Sequence, residues 1–126
     1  MDLSVSQSKT SPLTIVTIAG SVDVYTAPQL RDALDQLIAG GYPQLVVDLG
    51  GVEFIDSTGL GVLVGRLKHA KVRDGSVCLV IRSERTLKLF SITGLEAIFP
   101  IYATVQEAEE AAQAGGDAEG AAPARA

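Results

Sequence analysis

Two hydrophobic patterns alternate along the chain, and they predict alternating strands and helices. Short runs of branched aliphatic residues are typical of strands, whereas apolar residues three and four positions apart are typical of one helix face. The predicted strands cover residues 3–8, 13–19, 44–49, 77–81 and 99–102. The predicted helices begin near residues 26, 57, 83 and 104. This β-β-α-β-α-β-α-β-α order predicts an α/β sandwich with a mixed central sheet of about five strands and with four helices, because strand–helix–strand units favour parallel pairing.

Small and polar residues mark the expected ends of these elements. Two segments have the spacing of a capping box, in which a Ser or Thr caps the helix and a Glu or Gln three positions later bonds back to it: Thr26 to Gln29 and Thr104 to Glu107. Gly20 is expected to end the second strand. Gly50-Gly51 is expected to turn the chain after the third strand, which places Asp48 near a strand end.

The stretch from residue 44 to residue 72 organises the chain. A continuous apolar run, typical of a strand buried on both faces, leads to Asp56 and Ser57 at the expected start of a helix. That helix contains Gly59, Gly61 and Gly65, and each glycine costs ~1 kcal/mol relative to alanine. Such a cost indicates close approach of another backbone, either by packing within the fold or by a partner.

Ser57 permits three interpretations. Its hydroxyl is a possible N-cap of the following helix. It is a poor catalytic nucleophile, because the only histidine, His69, lies more than ~15 Å along the helix at ~1.5 Å per residue. It is also a possible phosphorylation site, since free N–H groups and the helix dipole at this end tolerate added negative charge. Thr58 is an alternative acceptor.

Composition limits the classes of function. The chain has 126 residues, of which 47% are hydrophobic, and this is enough for one folded domain. We expect the domain to cover residues 1–112 and an acidic, Gly- and Ala-rich disordered tail to cover residues 113–126. The net charge of -5 and the aromatic content of only 5% argue against nucleic-acid binding.

The cysteine and histidine counts exclude further chemistry. Cys78 is the only cysteine and His69 the only histidine, so neither an internal disulfide nor a Cys/His metal cluster is possible. Cys78 lies in an apolar run and is expected in the core. We expect no cofactor and no bound metal. The sequence shows neither a secretory signal nor a membrane-spanning run, so we expect a cytoplasmic protein.

Three segments carry a family resemblance: Val46-Val47-Asp48-Leu49, Phe54-Ile55-Asp56-Ser57-Thr58-Gly59-Leu60-Gly61 and Ile92-Thr93-Gly94-Leu95. Together with the segment from Gly20 to Ala27, they resemble the anti-sigma factor antagonists, which are stand-alone STAS domains. The resemblance covers roughly residues 3–110 and implies a regulator that is not an enzyme. It implies that the unphosphorylated form binds an anti-sigma factor that is also a serine kinase, and so frees the sigma factor.

The resemblance also implies roles for single residues. The phosphorylated serine of the family's motif falls on Ser57, and Asp23 and Asp56 fall on the kinase-contacting surface. We expect Ser57 and the neighbouring motif residues Thr58, Gly59 and Gly61 to belong to the same partner-binding surface. A PP2C-type phosphatase would reset the switch, and the free protein is expected to be a monomer. The alternative is a STAS-type sensor of a small ligand or nucleotide, or a subunit of a transport or stress-sensing complex.

Overall fold

The computed structural model describes residues 3–10 and 12–113, and its elements follow the predicted order. The strands are β1 (Leu3–Thr10), β2 (Leu13–Val22), β3 (Gln44–Ile55), β4 (Ser76–Val80) and β5 (Ile101–Tyr102). The helices are α1 (Ala27–Ala39), α2 (Ser57–Val72), α3 (Glu84–Ile92) and α4 (Val105–Gln113), with a single 3-10 turn at Leu95–Ala97. The predicted α/β fold with five strands and four helices is therefore confirmed.

The five strands form one mixed sheet in the order β1-β2-β3-β4-β5. The edge strand β1 pairs antiparallel with β2, as expected for a hairpin, and the other three pairings are parallel. β3 lies at the centre of the sheet, and its segment from Leu45 to Leu49 is buried throughout. The prediction that this strand is covered on both faces is confirmed.

Hydrophobic residues fill both sides of the sheet. The larger core joins the sheet to α1, α2 and α3, and its fully buried members include Leu34, Val47, Leu63, Leu79 and Phe90. A smaller cluster lies under α4 and contains Ile15, Val46, Cys78, Val80 and Ala108. Because successive side chains of a strand point to opposite faces, Val46 packs in the smaller cluster and Val47 packs in the larger core.

Cys78 is a core residue, as predicted. It is buried in the cluster under α4. Burial raises the pKa of its thiol to about 12, because the charged thiolate would lose its hydration there. The thiol is therefore protonated at neutral pH and has little nucleophilic character.

A small cluster of polar and charged side chains joins α1 to α2. Asp35 of α1 accepts a hydrogen bond from a terminal guanidinium nitrogen of Arg66 at 3.1 Å, and its other oxygen lies 3.0 Å from Nδ1 of His69. The only histidine of the chain thus contacts Asp35. This contact agrees with the prediction that it does not serve Ser57 as a base.

The predicted ends of β2 and β3 are wrong, and the difference positions the functional residues. β2 continues through Gly20 to Val22, because Gly20 adopts a positive φ of 105° and irregularities in the register let pairing resume. β3 continues through Gly50-Gly51 to Ile55. Gly51 faces Ala19, and a Cβ added to Gly51 would lie 3.0 Å from the Cβ of Ala19. These glycines therefore permit close strand pairing and do not end the strands.

The two predicted capping boxes have different outcomes. The Thr104 hydroxyl accepts a hydrogen bond from the backbone N–H of Glu107 at 3.1 Å, which confirms the cap of α4. The box at α1 is wrong, since the Thr26 side chain makes no cap bond there and the Gln29 amide donates to the carbonyl of Leu3 at 3.1 Å. The Thr26 hydroxyl is used instead to hold the preceding loop.

The predicted disordered tail lies outside the described residues except for Gln113, which ends α4. None of the helices in the described part of the chain combines the length and the apolar character that a membrane crossing requires. Within residues 3–10 and 12–113, no three His, Cys, Asp or Glu side chains are grouped so that they could hold a metal ion.

Candidate functional site

The ends of β2 and β3 bring the predicted site residues together. These adjacent parallel strands end in register, with Val22 paired to Ile55. The backbone N–H of Asp56 donates to the carbonyl of Val22 at 3.1 Å, so the two following loops start side by side. We call the group of Asp23, Asp56 and Ser57 at this edge the Ser57 corner. The carboxyl ends of parallel strands are a common position for binding sites in α/β proteins.

Asp56, and not Ser57, is the N-cap of α2. Its backbone is extended, with φ -107° and ψ -173°, and its carboxylate accepts hydrogen bonds from the N–H groups of Thr58 at 2.9 Å and Gly59 at 3.2 Å. Ser57 is the first helical residue and is exposed. Its hydroxyl makes no hydrogen bond to any described residue, so it is not committed to holding the fold.

This cap changes the expected electrostatics of the helix end. The N–H groups of Thr58 and Gly59, which were expected to be free, are already bonded to the Asp56 carboxylate. A phosphate on Ser57 would therefore compete with a fixed negative charge for these donors. The expectation of free first-turn N–H groups is therefore wrong for Thr58 and Gly59, and the tolerance of this helix end for a phosphate stays a prediction.

Asp23 is held in the loop between β2 and α1. Its carboxylate accepts hydrogen bonds from the N–H groups of Tyr25 at 2.9 Å and Thr26 at 3.0 Å. The backbone bond from Thr26 is the main cause that lowers the pKa of Asp23 below its usual value. Since the pKa is lowered in the folded state, this contribution to stability exists above the unfolded pKa and is lost as the pH falls. At neutral pH the Ser57 corner therefore carries a charged Asp23 beside Asp56.

The glycines of α2 divide into two kinds. Gly59 is buried, and a Cβ added there would lie 2.6 Å from Cγ1 of Val22 and 2.8 Å from Cγ1 of Ile55. Packing therefore explains Gly59. At Gly61 and Gly65 an added Cβ would meet no described atom within 4 Å outside the neighbouring helix backbone, so packing does not explain them. Among residues 3–10 and 12–113, nothing fills the space above these two glycines.

Asp48 does not lie at a strand end, because β3 continues beyond it. Its carboxylate accepts a hydrogen bond from the N–H of Gly50 at 2.8 Å and forms a salt bridge with Arg82 at 3.2 Å. The Arg82 guanidinium also donates to the carbonyl of Ala103 at 3.3 Å. Asp48 is thus buried in a structural link from β3 to the chain segments that follow β4 and β5.

Sequence reasoning missed two features at this edge. Val24 and Tyr25 follow Asp23 and are exposed, although both are apolar in character. A groove of about 390 Å³ lies between the end of β3 and α3, and its lining includes Glu53, Phe54, Arg85, Lys88, Leu89 and Ile92. The exposed pair Val24 and Tyr25 could have been found from the sequence, because these two apolar residues lie outside any strand or helix pattern. The groove has no signal in the sequence, because it depends on how α3 packs beside β3.

Substitution of Asp56 separates its capping role from its charge. We expect Asp56→Ala to lower the free energy of unfolding by about 1 kcal/mol, because the N–H groups of Thr58 and Gly59 lose their acceptor. Asp56→Asn should lower the free energy of unfolding by less, because asparagine caps a helix about as well as aspartate. Only the favourable interaction between the carboxylate charge and the helix dipole is lost. Urea denaturation of the three proteins measures both differences. Equal losses for the two variants would contradict the assignment of Asp56 as the cap.

Comparisons with known proteins agree with the fold and include this site. A family model described as STAS domain matches residues 5–108, which include the Ser57 corner. An anti-sigma-B factor antagonist of Bacillus subtilis is 49% identical over 88 residues, which are 70% of this chain and 80% of the relative. An anti-sigma-B factor antagonist of Staphylococcus aureus is 34% identical over 101 residues, which are 80% of this chain and 94% of the relative. The solved structure of an anti-sigma factor antagonist from Mycobacterium paratuberculosis is 31% identical, with a TM-score of 0.80 over 87% of this chain and 93% of that chain.

Proposed function

Because the chain belongs to the STAS-domain family of anti-sigma factor antagonists, we propose that it binds an anti-sigma factor kinase and that phosphorylation of Ser57 reverses the binding. The unphosphorylated protein holds the anti-sigma factor and thereby frees the sigma factor. Phosphorylation releases the anti-sigma factor, which can then capture the sigma factor again. The protein acts as a binding partner and as the substrate of another enzyme, and it performs no chemistry of its own.

The observation that carries this proposal is the state of the Ser57 hydroxyl. It is exposed on the first residue of α2 and makes no hydrogen bond to the described part of the chain. Its backbone is nevertheless well positioned, because Asp56 is bonded both to Val22 and to the first turn of the helix. A kinase needs an accessible hydroxyl presented in a defined geometry, since positioning is a large part of phosphoryl-transfer catalysis.

The charge at Ser57 explains release without a large change of fold. In a complex that allows transfer, the hydroxyl must face the γ-phosphate of ATP and the carboxylate of the catalytic base. After transfer, a phosphoserine with ~1.5–2 negative charges would face ADP and that carboxylate. Repulsion at this point and the bulk of the phosphate then both oppose binding. Because the Asp56 carboxylate already accepts from the N–H groups of Thr58 and Gly59, a phosphate on Ser57 would have to compete with it for these two donors.

The same surface position makes the phosphate accessible to a second enzyme. We propose that a PP2C-type phosphatase removes it and restores the binding form. Asp23, Asp56 and Ser57 contribute to the contact surface, with Thr58 beside them and Gly61 providing open space on α2. Gly59 supports this surface from below, because it lets α2 approach the ends of β2 and β3. The free protein is a cytoplasmic monomer in this proposal.

Phosphate mapping tests the proposal directly. The protein is incubated with ATP and each anti-sigma factor of its source organism, purified singly, and the products are mapped by mass spectrometry. We expect one phosphate, on Ser57, and none on Thr58. The Ser57→Ala variant should accept no phosphate and should still bind the anti-sigma factor. Phosphate at another residue, or no phosphate with any of these partners, would refute the proposed function.

The groove beside α3 supports a second candidate, a sensor of a small ligand. Its lining combines the apolar side chains of Phe54, Leu89 and Ile92 with two cations, Arg85 and Lys88, and one carboxylate, Glu53. This excess of positive charge favours a small anionic ligand with an apolar part. Calorimetric titration with nucleotides and with short fatty acids distinguishes the two candidates. Tight binding of such a ligand, together with failure to bind any anti-sigma factor, would favour the sensor.

A further inference from the structure

Tyr25 is the most exposed of the large apolar side chains in the described part of the chain. Its exposed fraction is 88%, and that of its neighbour Val24 is 58%. Both lie in the loop between β2 and α1, which borders the Ser57 corner. An apolar pair left uncovered in this position gains nothing from the fold, and contiguous exposed apolar surface often marks an interaction site.

The loop that carries Tyr25 is held firmly by hydrogen bonds. The N–H of Tyr25 itself donates to the Asp23 carboxylate at 2.9 Å. The buried Thr26 hydroxyl donates to the carbonyl of Ser21 at 2.8 Å and accepts from the N–H of Asp23 at 2.9 Å. The N–H of Ala27 also donates to the Asp23 carbonyl, at 2.8 Å. Because the backbone is fixed, a partner that bound the ring would have to order only its side-chain torsions.

The position of the loop relates Tyr25 to the phosphorylation site. Val22 and Ile55 are paired at the ends of adjacent strands, and the chain reaches Tyr25 three residues after the first and Ser57 two residues after the second. The bond between the Asp56 N–H and the Val22 carbonyl fixes the two loops against each other. A protein that docks over Ser57 therefore meets the loop of Tyr25 on the same edge.

We propose that Tyr25 is the anchor of the complex with the anti-sigma factor, and that its ring enters an apolar pocket whose rim carries cations opposite Asp23 and Asp56. This inference rests on the proposed function and names the kind of surface that the partner presents. A buried tyrosine removes a large apolar area from water, and tyrosine is enriched among the residues that dominate binding free energy. The carboxylates of Asp23 and Asp56 are already hydrogen-bonded to backbone N–H groups of this chain, but both keep their negative charge, and complementary cations on the facing rim favour association.

A second tyrosine of the same chain provides the matched control. Tyr42 precedes β3 at the opposite end of that strand from the Ser57 corner. Its exposed fraction is 44%, and the ammonium of Lys9 lies 4.7 Å from its ring centre. Tyr42 is therefore partly covered within the chain and lies away from the proposed interface.

Affinity measurements on three variants test the anchor. Calorimetry uses the purified anti-sigma factor that binds the wild-type protein most tightly. We expect Tyr25→Ala to weaken binding by at least about 30-fold, the size typical of a dominant contact. Tyr25→Phe should stay within about threefold, because the ring and not the hydroxyl fills the pocket. Tyr42→Ala should bind as the wild type does, and thermal unfolding should show that Tyr25→Ala remains folded with an unchanged midpoint.

Four other outcomes overturn the inference. If Tyr25→Ala binds normally while Ser57→Asp binds weakly, Tyr25 is not the anchor and the proposed function survives. If Tyr25→Phe loses as much affinity as Tyr25→Ala, the hydroxyl is the contact and the apolar pocket is wrong. If sedimentation shows that Tyr25→Ala only converts a dimer to a monomer, the ring contacts a second copy of the chain. If the wild-type protein binds no anti-sigma factor, the proposed function fails and the anchor fails with it.

Discussion

Ser57→Asp should bind the anti-sigma factor at least about 30-fold more weakly than the wild-type protein, while Ser57→Ala should bind almost normally. The physical reason is the charge that Ser57 brings to the contact. Two like charges about 4 Å apart repel by ~1 kcal/mol in water and by ~4 kcal/mol at the effective dielectric constant of a protein surface. An aspartate carries one such charge, and a phosphoserine carries ~1.5–2 at neutral pH. The phosphorylated protein should therefore bind more weakly still.

The experiment measures dissociation constants for four forms: the wild type, Ser57→Ala, Ser57→Asp and the phosphorylated protein. A non-hydrolysable ATP analogue keeps the kinase from modifying the wild type during the titration. Raising the salt concentration should reduce the difference in dissociation constant between Ser57→Asp and Ser57→Ala, because salt screens exposed charges. Thr58→Asp places the same charge on the next residue, at the border of the proposed contact surface, and it should weaken binding less than Ser57→Asp if the switch is centred on Ser57. An equal loss of affinity for Ser57→Ala and Ser57→Asp would show that binding needs the hydroxyl and that the added charge does not control it.

Gly59→Ala and Gly61→Ala should change stability in opposite directions. At Gly59 the new methyl group would overlap the side chains of Val22 and Ile55, which are buried and cannot easily move. Overpacking of this kind costs ~1–3 kcal/mol, and the better helix propensity of alanine returns only ~1 kcal/mol. We expect a net loss of about 1–2 kcal/mol in the free energy of unfolding. At Gly61 the space is open, so we expect a gain of up to ~1 kcal/mol.

Chemical denaturation of the two variants and the wild type measures these differences. Gly65→Ala serves as the control, because its added methyl group also meets open space and should stabilise the helix like Gly61→Ala. A stable Gly59→Ala would show that α2 can shift away from the strand ends without cost. Since Gly61→Ala keeps the fold, a loss of affinity for the anti-sigma factor in this variant would place Gly61 within the contact surface.

Local patterns were sufficient for the architecture. The apolar run from residue 44 to residue 49 predicts a central strand, and the helical spacing after Ser57 predicts α2, and both are correct. The motif from Phe54 to Gly61, together with the segments at residues 20–27, 46–49 and 92–95, was sufficient for the family resemblance, which the family model and the relatives confirm. These features depend on side-chain periodicity and on residue identities within a few short segments, so they can be read without knowing which segments are neighbours in the fold.

Details that depend on two segments at once could not be read in this way. Gly20 and Gly50-Gly51 look like strand ends in sequence, but pairing between β2 and β3 carries both strands past them. Thr26 has the spacing of a capping box, yet its hydroxyl is used by Ser21 and Asp23 in the loop before α1. Strand pairing overrode the two glycine signals, whereas at α1 the local bonds of the Thr26 hydroxyl and the long-range bond from Gln29 to Leu3 replaced the capping box.

The sequence by itself thus determined the order of the elements, the family and the serine that carries the proposed switch. Only the tertiary structure decided that Asp56 caps α2 and leaves the Ser57 hydroxyl unbonded to the described chain, because capping depends on backbone geometry at the helix start. Only the parallel pairing of β2 with β3 brings Asp23 and the exposed Tyr25 to the same edge as Ser57. The physical reason is that adjacent strands place residues far apart in sequence within one small surface, which no periodicity along the chain records.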